Sequence, residues 1–421
     1  MRHILVFTLV AFLMVAMTAC AQPSGGLEIT SEPSVTDEAI GESTPPTISF
    51  VQGLPAEMVT AQPIPLPIGI ASDTHDGIGL MFFGRDGIVE GELRRPPQAW
   101  FSRGFVHFAG VFDRSFNFPL VYFQGEFEGD CQECGLWVLT GEQTSRLVEL
   151  REMEALIGVP AVPVMAYVER QYDLESGLLR SLLYAGELEA LPTAQPVMVL
   201  ESSESRFLKP VAIRMENGSI AGVWYTQLPY GIGGEIVFEP TEGLYYLDLS
   251  TNTSYEVLPA GSQFSDLSVS QTWITYTEYA VSGSHDLVVR NLTSGQSLNF
   301  QRLPESDHGT GSALISPDNY YVAWLEVSGS LMDESYHSTI RVATLEGLLI
   351  ADFPQENFYK AAGLGTELIV LRPIGWMDEA SILVSVVNPT EVEQAAVVLI
   401  NLQTGNINFL APGTFVGFTY P

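Results

Sequence analysis

Ser284-His285-Asp286 gathers the three residue types of a nucleophilic triad. A triad needs its members to converge from separate elements, which three consecutive loop residues cannot do. No G-x-S-x-G elbow occurs anywhere in the chain. The histidines after His3 are His75, His107, His285, His308 and His337, and none makes an i, i+2 or i, i+4 pair, so no zinc site is expected. Asp73, Asp76, Asp333 and Glu334 are hard oxygen donors of the kind calcium takes. Their pattern is not an EF-hand, and ordinary turn acidity explains it better. No cofactor is therefore expected, with calcium the one cation these residues could hold.

The elements that would carry such residues are short strands. After residue 63 the chain consists of runs dense in β-branched, aromatic and aliphatic residues, such as 244–249 and 396–402, divided by Gly, Asn, Asp and Pro. Helical periodicity is nearly absent, and 147–157 is the one helix-tolerant stretch. Many short strands with regular turns imply an all-β sandwich, barrel or propeller. A recurring unit of strand, tight turn and strand chooses among them. Its turns are Asp86-Gly87, Thr140-Gly141, Ala185-Gly186, Thr251-Asn252, Ser294-Gly295, Glu346-Gly347 and Thr404-Gly405. The second residue is always Gly or Asn, the types that accept positive φ in hairpin turns. The turns recur about every 53 residues, so residues 64–421 fit a β-propeller of about seven four-stranded blades, with six or eight as the neighbouring counts.

A second element precedes the hairpin. Its clearest copy is Ser316-Pro317-Asp318-Asn319-Tyr320-Tyr321-Val322-Ala323-Trp324, with a degenerate copy at 375–384 and a weaker one at 269–276. The first resembles the Ser-Pro-Asp-Gly-x-x-Ile-Ala-Phe/Trp signature of TolB-type β-propeller repeats. Asn319 replaces the usual Gly, which a left-handed turn position tolerates. Met377 and Gln271 depart where the family has Pro or Ser, so those two copies rest on position in the blade. The resemblance runs from about residue 200 to the end. The blades of 64–200 follow from spacing, and the third, near 160–200, is the least legible. The signature is structural: Pro fixes φ and the Asp side chain accepts turn N–H groups. Asp318 is therefore not read as a catalytic acid. The first blade owns only three strands, near 64–70, 79–84 and 88–93. The terminal run 415–420 is expected to supply its innermost strand and so remove free edges between first and last blades.

Strands alternate direction within a blade. The turns joining strands one to two and three to four then share one face of the disc, and the loops joining two to three lie on the other. Those loops, at 71–78, 128–134, 227–242, 279–285, 328–338 and 388–395, form the candidate binding face. They carry Asp73, His75, Asp76, Tyr230, Glu235, Tyr279, His285, Asp333, Tyr336 and His337. Loops on a rigid scaffold are where binding residues concentrate. An acidic, aromatic face suits a cation, a carbohydrate or a basic protein surface.

The N-terminus carries an address. Arg2 and His3 precede an apolar run from Ile4 to Met17, then Thr18, Ala19 and Cys20. A charged start, a short apolar core and small residues before a boundary make a signal peptide over residues 1–19, too short to span a bilayer. Met17-Thr18-Ala19-Cys20 resembles the lipobox of bacterial lipoproteins, with Met where the family prefers Leu. The resemblance implies that Cys20 takes a lipid and anchors the mature chain outside the cytoplasm on a bacterial membrane. Residues 20–63, rich in Pro, Ser and Thr and with six uncompensated acids, read as a flexible tether. Cys131 and Cys134 then remain as a close pair. Outside the cytoplasm such a pair oxidises. Its neighbours Glu128, Asp130 and Glu133 disfavour a thiolate, and no second CxxC completes a zinc site, so a loop-stapling disulfide is expected.

The chain holds 50 acidic and 18 basic residues, a formal net charge of −32, and its only lysines are Lys209 and Lys360. Nucleic-acid partners, which need basic clusters, are excluded. The function expected is a membrane-anchored extracytoplasmic propeller that binds or assembles with a protein or carbohydrate through its acidic loop face, without catalysis. The alternative is a glycan-acting hydrolase with carboxylates at the propeller channel, to which the sequence assigns no residue.

Overall fold

Short strands alternating with Gly- and Asn-centred turns build seven antiparallel sheets, the blades of a β-propeller. The computed structural model describes residues 47–421 apart from 64, 75–78, 95–103, 114–119, 127–133, 141–142, 151, 173–178, 188–196, 203–205, 230–236, 279–285, 332–334, 366–367 and 392–393. Blades 3 to 7 each take four consecutive strands, from the axis outward, and blade 2 does so around the short strand Val111–Asp113. Blade 2 uses Gly104–Phe108, Leu120–Glu126, Gly135–Thr140 and Gln143–Val148, and blade 3 uses Met153–Val159, Val162–Tyr172, Leu179–Glu187 and Val197–Ser202. Blade 4 uses Arg206–Glu216, Ser219–Pro229, Glu242–Asp248 and Thr253–Leu258, and blade 5 uses Ser262–Leu267, Trp273–Glu278, Leu287–Asn291 and Ser297–Phe300. Blade 6 uses Gly309–Ile315, Tyr321–Ser328, His337–Thr344 and Leu349–Pro354, and blade 7 uses Val370–Asp378, Ser381–Val387, Ala395–Asn401 and Asn406–Pro412.

Blade 1 closes the ring as expected. Its strands Gly69–Asp73, Gly79–Gly84 and Val89–Arg94 are completed by the terminal strand Thr414–Tyr420, which pairs antiparallel with the first of them. Phe418 to Tyr420 also pair, in parallel, with Val111–Asp113 from the connection inside blade 2.

Five of the seven hairpin turns put their second residue at positive φ: Gly87 at 76°, Asn252 at 50°, Gly295 at 72°, Gly347 at 95° and Gly405 at 70°. Gly141 lies outside the described residues. The third assignment is corrected: Ala185 and Gly186 sit inside Leu179–Glu187, paired with Ala166 and Met165, so they do not form the turn. Gly in a continuous apolar strand had the same local signature as Gly in a turn. The stretch 147–157 is also not helical; it ends the outer strand of blade 2 and begins the inner strand of blade 3. The α-helix of the described residues, α1 (Glu356–Ala362), lies instead between blades 6 and 7 and buries Phe358 and Ala362.

Part of the stretch expected as a tether packs on the propeller. Ser49–Gln52 adds a parallel fifth strand to the outer edge of blade 4, and Leu54 and Met58 pack on the hydrophobic residues between blades 4 and 5. A strand edge offers unpaired N–H and C=O groups to any extended segment, and composition alone does not show that an edge is waiting. Residues 1–46, which include the expected signal peptide and Cys20, lie outside the described residues.

The core is divided among the blades. Both faces of a middle strand are buried, and alternate residues serve different neighbours. In Tyr321–Ser328, Val322 and Trp324 pack toward blade 5, whereas Ala323, Leu325 and Val327 pack toward blade 7. Each of the seven blade-to-blade seams among the described residues has its own apolar cluster.

Candidate functional site

The axis of the disc is lined by the inner strands. Each inner strand of blades 4 to 7 carries a β-bulge: between Pro210 and Ala212, Phe264 and Asp266, Gly311 and Leu314, and Pro373 and Gly375. The terminal strand is bulged against Ala71 and Ser72 as well. A bulge bends its strand and re-aims the side chains beyond it, so the exit ends of these strands face a shared cavity.

Chain segments occupy both mouths of the channel. On the face of the one-to-two turns, the lead-in segment crosses from blade 4 to blade 1. The Gln62 N–H donates to Ser270 O at 3.0 Å, and its Oε1 accepts the Met215 N–H at 3.3 Å. Thr60 Oγ1 accepts a hydrogen bond from the buried Arg214, Pro67 O accepts the Arg85 Nε–H at 3.1 Å, and the Ile68 N–H reaches Thr419 O at 2.8 Å. Beneath the segment lies a cavity of about 350 Å³, bordered by the inner strands of blades 1 and 3 to 7. At the other face, the loop joining strands two and three of blade 4 turns inward. Phe238 packs so tightly on blade 6 that a Cβ on Gly311 would stand 2.4 Å from its ring. Glu239 O holds this loop by accepting the Gln263 side-chain amide at 2.8 Å, and Lys209 pairs with the Glu239 carboxylate.

Asp266 is the carboxylate among the described residues of the cavity wall. Its Oδ2 accepts the Ile315 N–H at 3.0 Å, which ties blade 5 to blade 6. The residue keeps some accessible surface because it borders the cavity, yet protein surrounds its carboxyl. Burial pushes that carboxyl up to about 7, against the opposing effect of the Ile315 and Leu267 N–H groups. Nothing in the sequence marked Asp266: it lies three residues ahead of a weak turn copy, and the bulge resets the alternation that would have shown which way it points.

The expected binding face is only partly within the described residues. His75, Asp76, Tyr230, Glu235, Tyr279, His285 and Asp333 lie outside them, as does Cys131. Cys134 is buried and disulfide-bonded. Asp73 ends the second strand of blade 1, half-buried, where its backbone meets Gly413. His337 starts the third strand of blade 6, half-exposed, with Nδ1 3.7 Å from the Glu356 carboxylate on α1. Tyr336 is corrected: it is 5% exposed and belongs to the apolar seam between blades 6 and 7, so it is not a surface ligand group. An aromatic residue at a loop's end reads in sequence as display, but the seam beside it was unfilled.

The turn residues act as the signature implied. Ser316 Oγ accepts the N–H groups of Tyr320 and Tyr321 at 3.1 and 2.8 Å and donates to Asp318 at 2.6 Å; Asn319 sits at φ 56°. In blade 5, Ser268 Oγ accepts from Thr272 and Trp273 at 3.2 and 3.0 Å, and Gln271 has φ 58°. Gln271 therefore matches Asn319, not the Pro or Ser position, which shifts the expected register of that copy. Its side chain spans the seam instead, accepting from Trp224 Nε1 at 2.9 Å and donating to Ile213 O at 3.0 Å.

No family model and no curated protein matches the chain. Among solved structures, the chain is similar to the oligogalacturonate lyase of Vibrio parahaemolyticus, at 9% identity and a TM-score of 0.48, over 84% of this chain and 86% of that one. It is also similar to a putative TolB from Agrobacterium tumefaciens, at 13% identity and a TM-score of 0.33, over 60% of this chain and 83% of that one. A puromycin-hydrolyzing peptidase of Mycobacterium tuberculosis matches at 17% identity and a TM-score of 0.38, over 60% of this chain and 38% of that one. At these identities the likeness is one of fold, the β-propeller.

Proposed function

We propose that the protein is a membrane-anchored, extracytoplasmic propeller that binds or assembles with a partner through its two-to-three loop face, without chemistry of its own. The observation that carries this reading is the chain that packs over the centre from both faces. Gln62 and Pro65 to Pro67 border the central cavity at one face, and Phe238 packs on Gly311 of blade 6 at the other, so a macromolecular partner meets the surrounding loops. The partner is a protein with a basic surface, or a carbohydrate. The net charge of −32 favours the former and makes the association weaken with salt. The lipid at Cys20 rests on the lipobox resemblance of Met17-Thr18-Ala19-Cys20.

Photo-crosslinking in membranes tests the face. A probe at His337 is expected to give specific adducts that fade with salt, and a probe at Ile350, exposed on the outer strand of blade 6, is not. Equal labelling, or none at His337, overturns the reading. Cys20→Ser is expected to release the protein from the membrane fraction.

A second reading, a glycan-acting hydrolase, draws on Asp266, whose carboxyl near 7 suits a general acid. Such enzymes use two carboxyl groups about 5 to 9.5 Å apart. Among the described residues no second carboxylate lines the cavity beside Asp266. Release of reducing ends from polysaccharides by the wild type but not by Asp266→Asn would favour this second assignment.

A further inference from the structure

The cavity beneath the lead-in segment is a site distinct from the loop face. Its volume, about 350 Å³, lies in the range of small-molecule sites. Leu66 and Ile374 give it apolar wall, and Trp376, Phe418 and Tyr420, from blades 7 and 1, give it an aromatic side. Across the axis blade 5 contributes Asp266. No Lys, Arg or His lines the cavity among the described residues. Asp266 is held in place by the backbone N–H groups of Ile315 and Leu267, with no cationic side chain against it. A fixed carboxyl in an apolar, aromatic wall lacks one thing, a positive charge small enough to enter.

Aromatic faces attract cations through their quadrupole and recognise quaternary ammonium groups in particular. The protein's net charge of −32 raises the local concentration of any cation around it. Trp376 is fixed in this wall. It is 5% exposed, stacks on Tyr321 at 6.3 Å, and its enclosed indole N–H has no acceptor in the protein. We propose that this cavity binds a small organic ammonium ion, with the charge held by the Asp266 carboxylate and the Trp376, Phe418 and Tyr420 rings.

Binding would draw the proton off Asp266, since only the carboxylate pairs with the cation. Below the free carboxyl's value of about 7, affinity then falls about tenfold per pH unit. The other titratable group on the described wall is Tyr420, whose phenol burial pushes up and which stays neutral through this range.

The probe is choline, and its control is 3,3-dimethylbutan-1-ol, the same shape without the charge. Calorimetry at fixed ionic strength on the full chain is expected to give one choline site at pH 8, at least tenfold tighter than the neutral alcohol. That site is expected to weaken about tenfold per unit below pH 7 and to vanish in Asp266→Asn. Because the wild type alone supplies the choline-to-alcohol ratio and the pH profile, a variant that fails to fold does not protect the proposal. Equal binding of the two probes, no binding of either, a flat pH profile, or unchanged binding in a folded Asp266→Asn protein overturns it.

Discussion

Asp266 and Glu326 are both enclosed acids, and their surroundings set opposite consequences. Glu326 is 1% exposed, yet every oxygen is used: Oε1 accepts from Trp324 Nε1 at 2.9 Å and Arg341 Nη1 at 2.8 Å, and Oε2 from the Leu303 N–H at 2.7 Å and Ser306 Oγ at 3.0 Å. Arg341 also donates to Asp352 at 2.9 Å. Removing one member leaves a buried charge unpaired, which costs about 3–5 kcal/mol. Arg341→Met is expected to lower stability by that amount in denaturant melts, and Glu326→Leu added to it to recover most of the loss. Asp266 has no such cation. Its folded carboxyl titrates near 7, above the 3.8 of an ordinary aspartate. The folded state therefore holds the extra proton between those values, and the contribution of this group to stability is greatest below about 4 and declines as pH rises toward 7. Relative to the wild type, Asp266→Asn is expected to gain stability over that window, by at most ~4 kcal/mol at pH 8. A constant difference between the two proteins from pH 4 to pH 8 would contradict it.

At the scale of elements, the one-to-two turn explains why this chain can depart from its repeat signature. Asn319 occupies a left-handed position, where Gly is easier, but its Oδ1 accepts a bond from Ser270 Oγ at 3.1 Å across the seam from blade 5. Asn319→Gly should therefore be nearly neutral, relief of backbone strain offsetting the lost bond. Asn319→Val, which loses the bond and strains a β-branched residue at positive φ, should cost roughly 1–3 kcal/mol in thermal or urea melts. The same turns show what was legible. Tight turns that need Gly or Asn declare themselves by residue type, so the blade count and five of the hairpins could be read directly. The bulges could not. A strand with one extra residue keeps its composition while its alternation flips midway, which is why the cavity wall, and Asp266 on it, stayed hidden. Tyr336 was misread for a related reason: whether a loop-end aromatic is displayed or buried depends on the neighbouring blade. The helix α1 is only seven residues long, too short for a 3.6-residue period to stand out, and Phe358 within it is decided by the seam between blades 6 and 7.

For the whole molecule, stability is a property of the ring. Each blade contributes to two seams, so opening one place exposes apolar surface on both sides of the gap. The terminal strand is where this matters most: Phe418 packs in the seam between blades 7 and 1, and Val416 in the seam between blades 1 and 2. It is also crowded by design, since a Cβ on Gly417 would stand 2.3 Å from Gly110 O. Ser49–Gln52, by contrast, covers an outer edge, pairing with Thr253 to Glu256 with side chains that stay exposed. The two chain ends should therefore behave differently when cut. Deleting 414–421 is expected to abolish the cooperative unfolding transition, because blade 1 loses its inner strand and both flanking seams open. Deleting the chain through Gly53 is expected to leave that transition in place and lower its midpoint by only a few degrees. Gly417→Leu, which keeps the strand but drives a side chain into backbone, should fall between them. A calorimetric scan of the three proteins would decide the matter, and an unchanged midpoint after loss of 414–421 would show that the ring does not depend on its terminal closure.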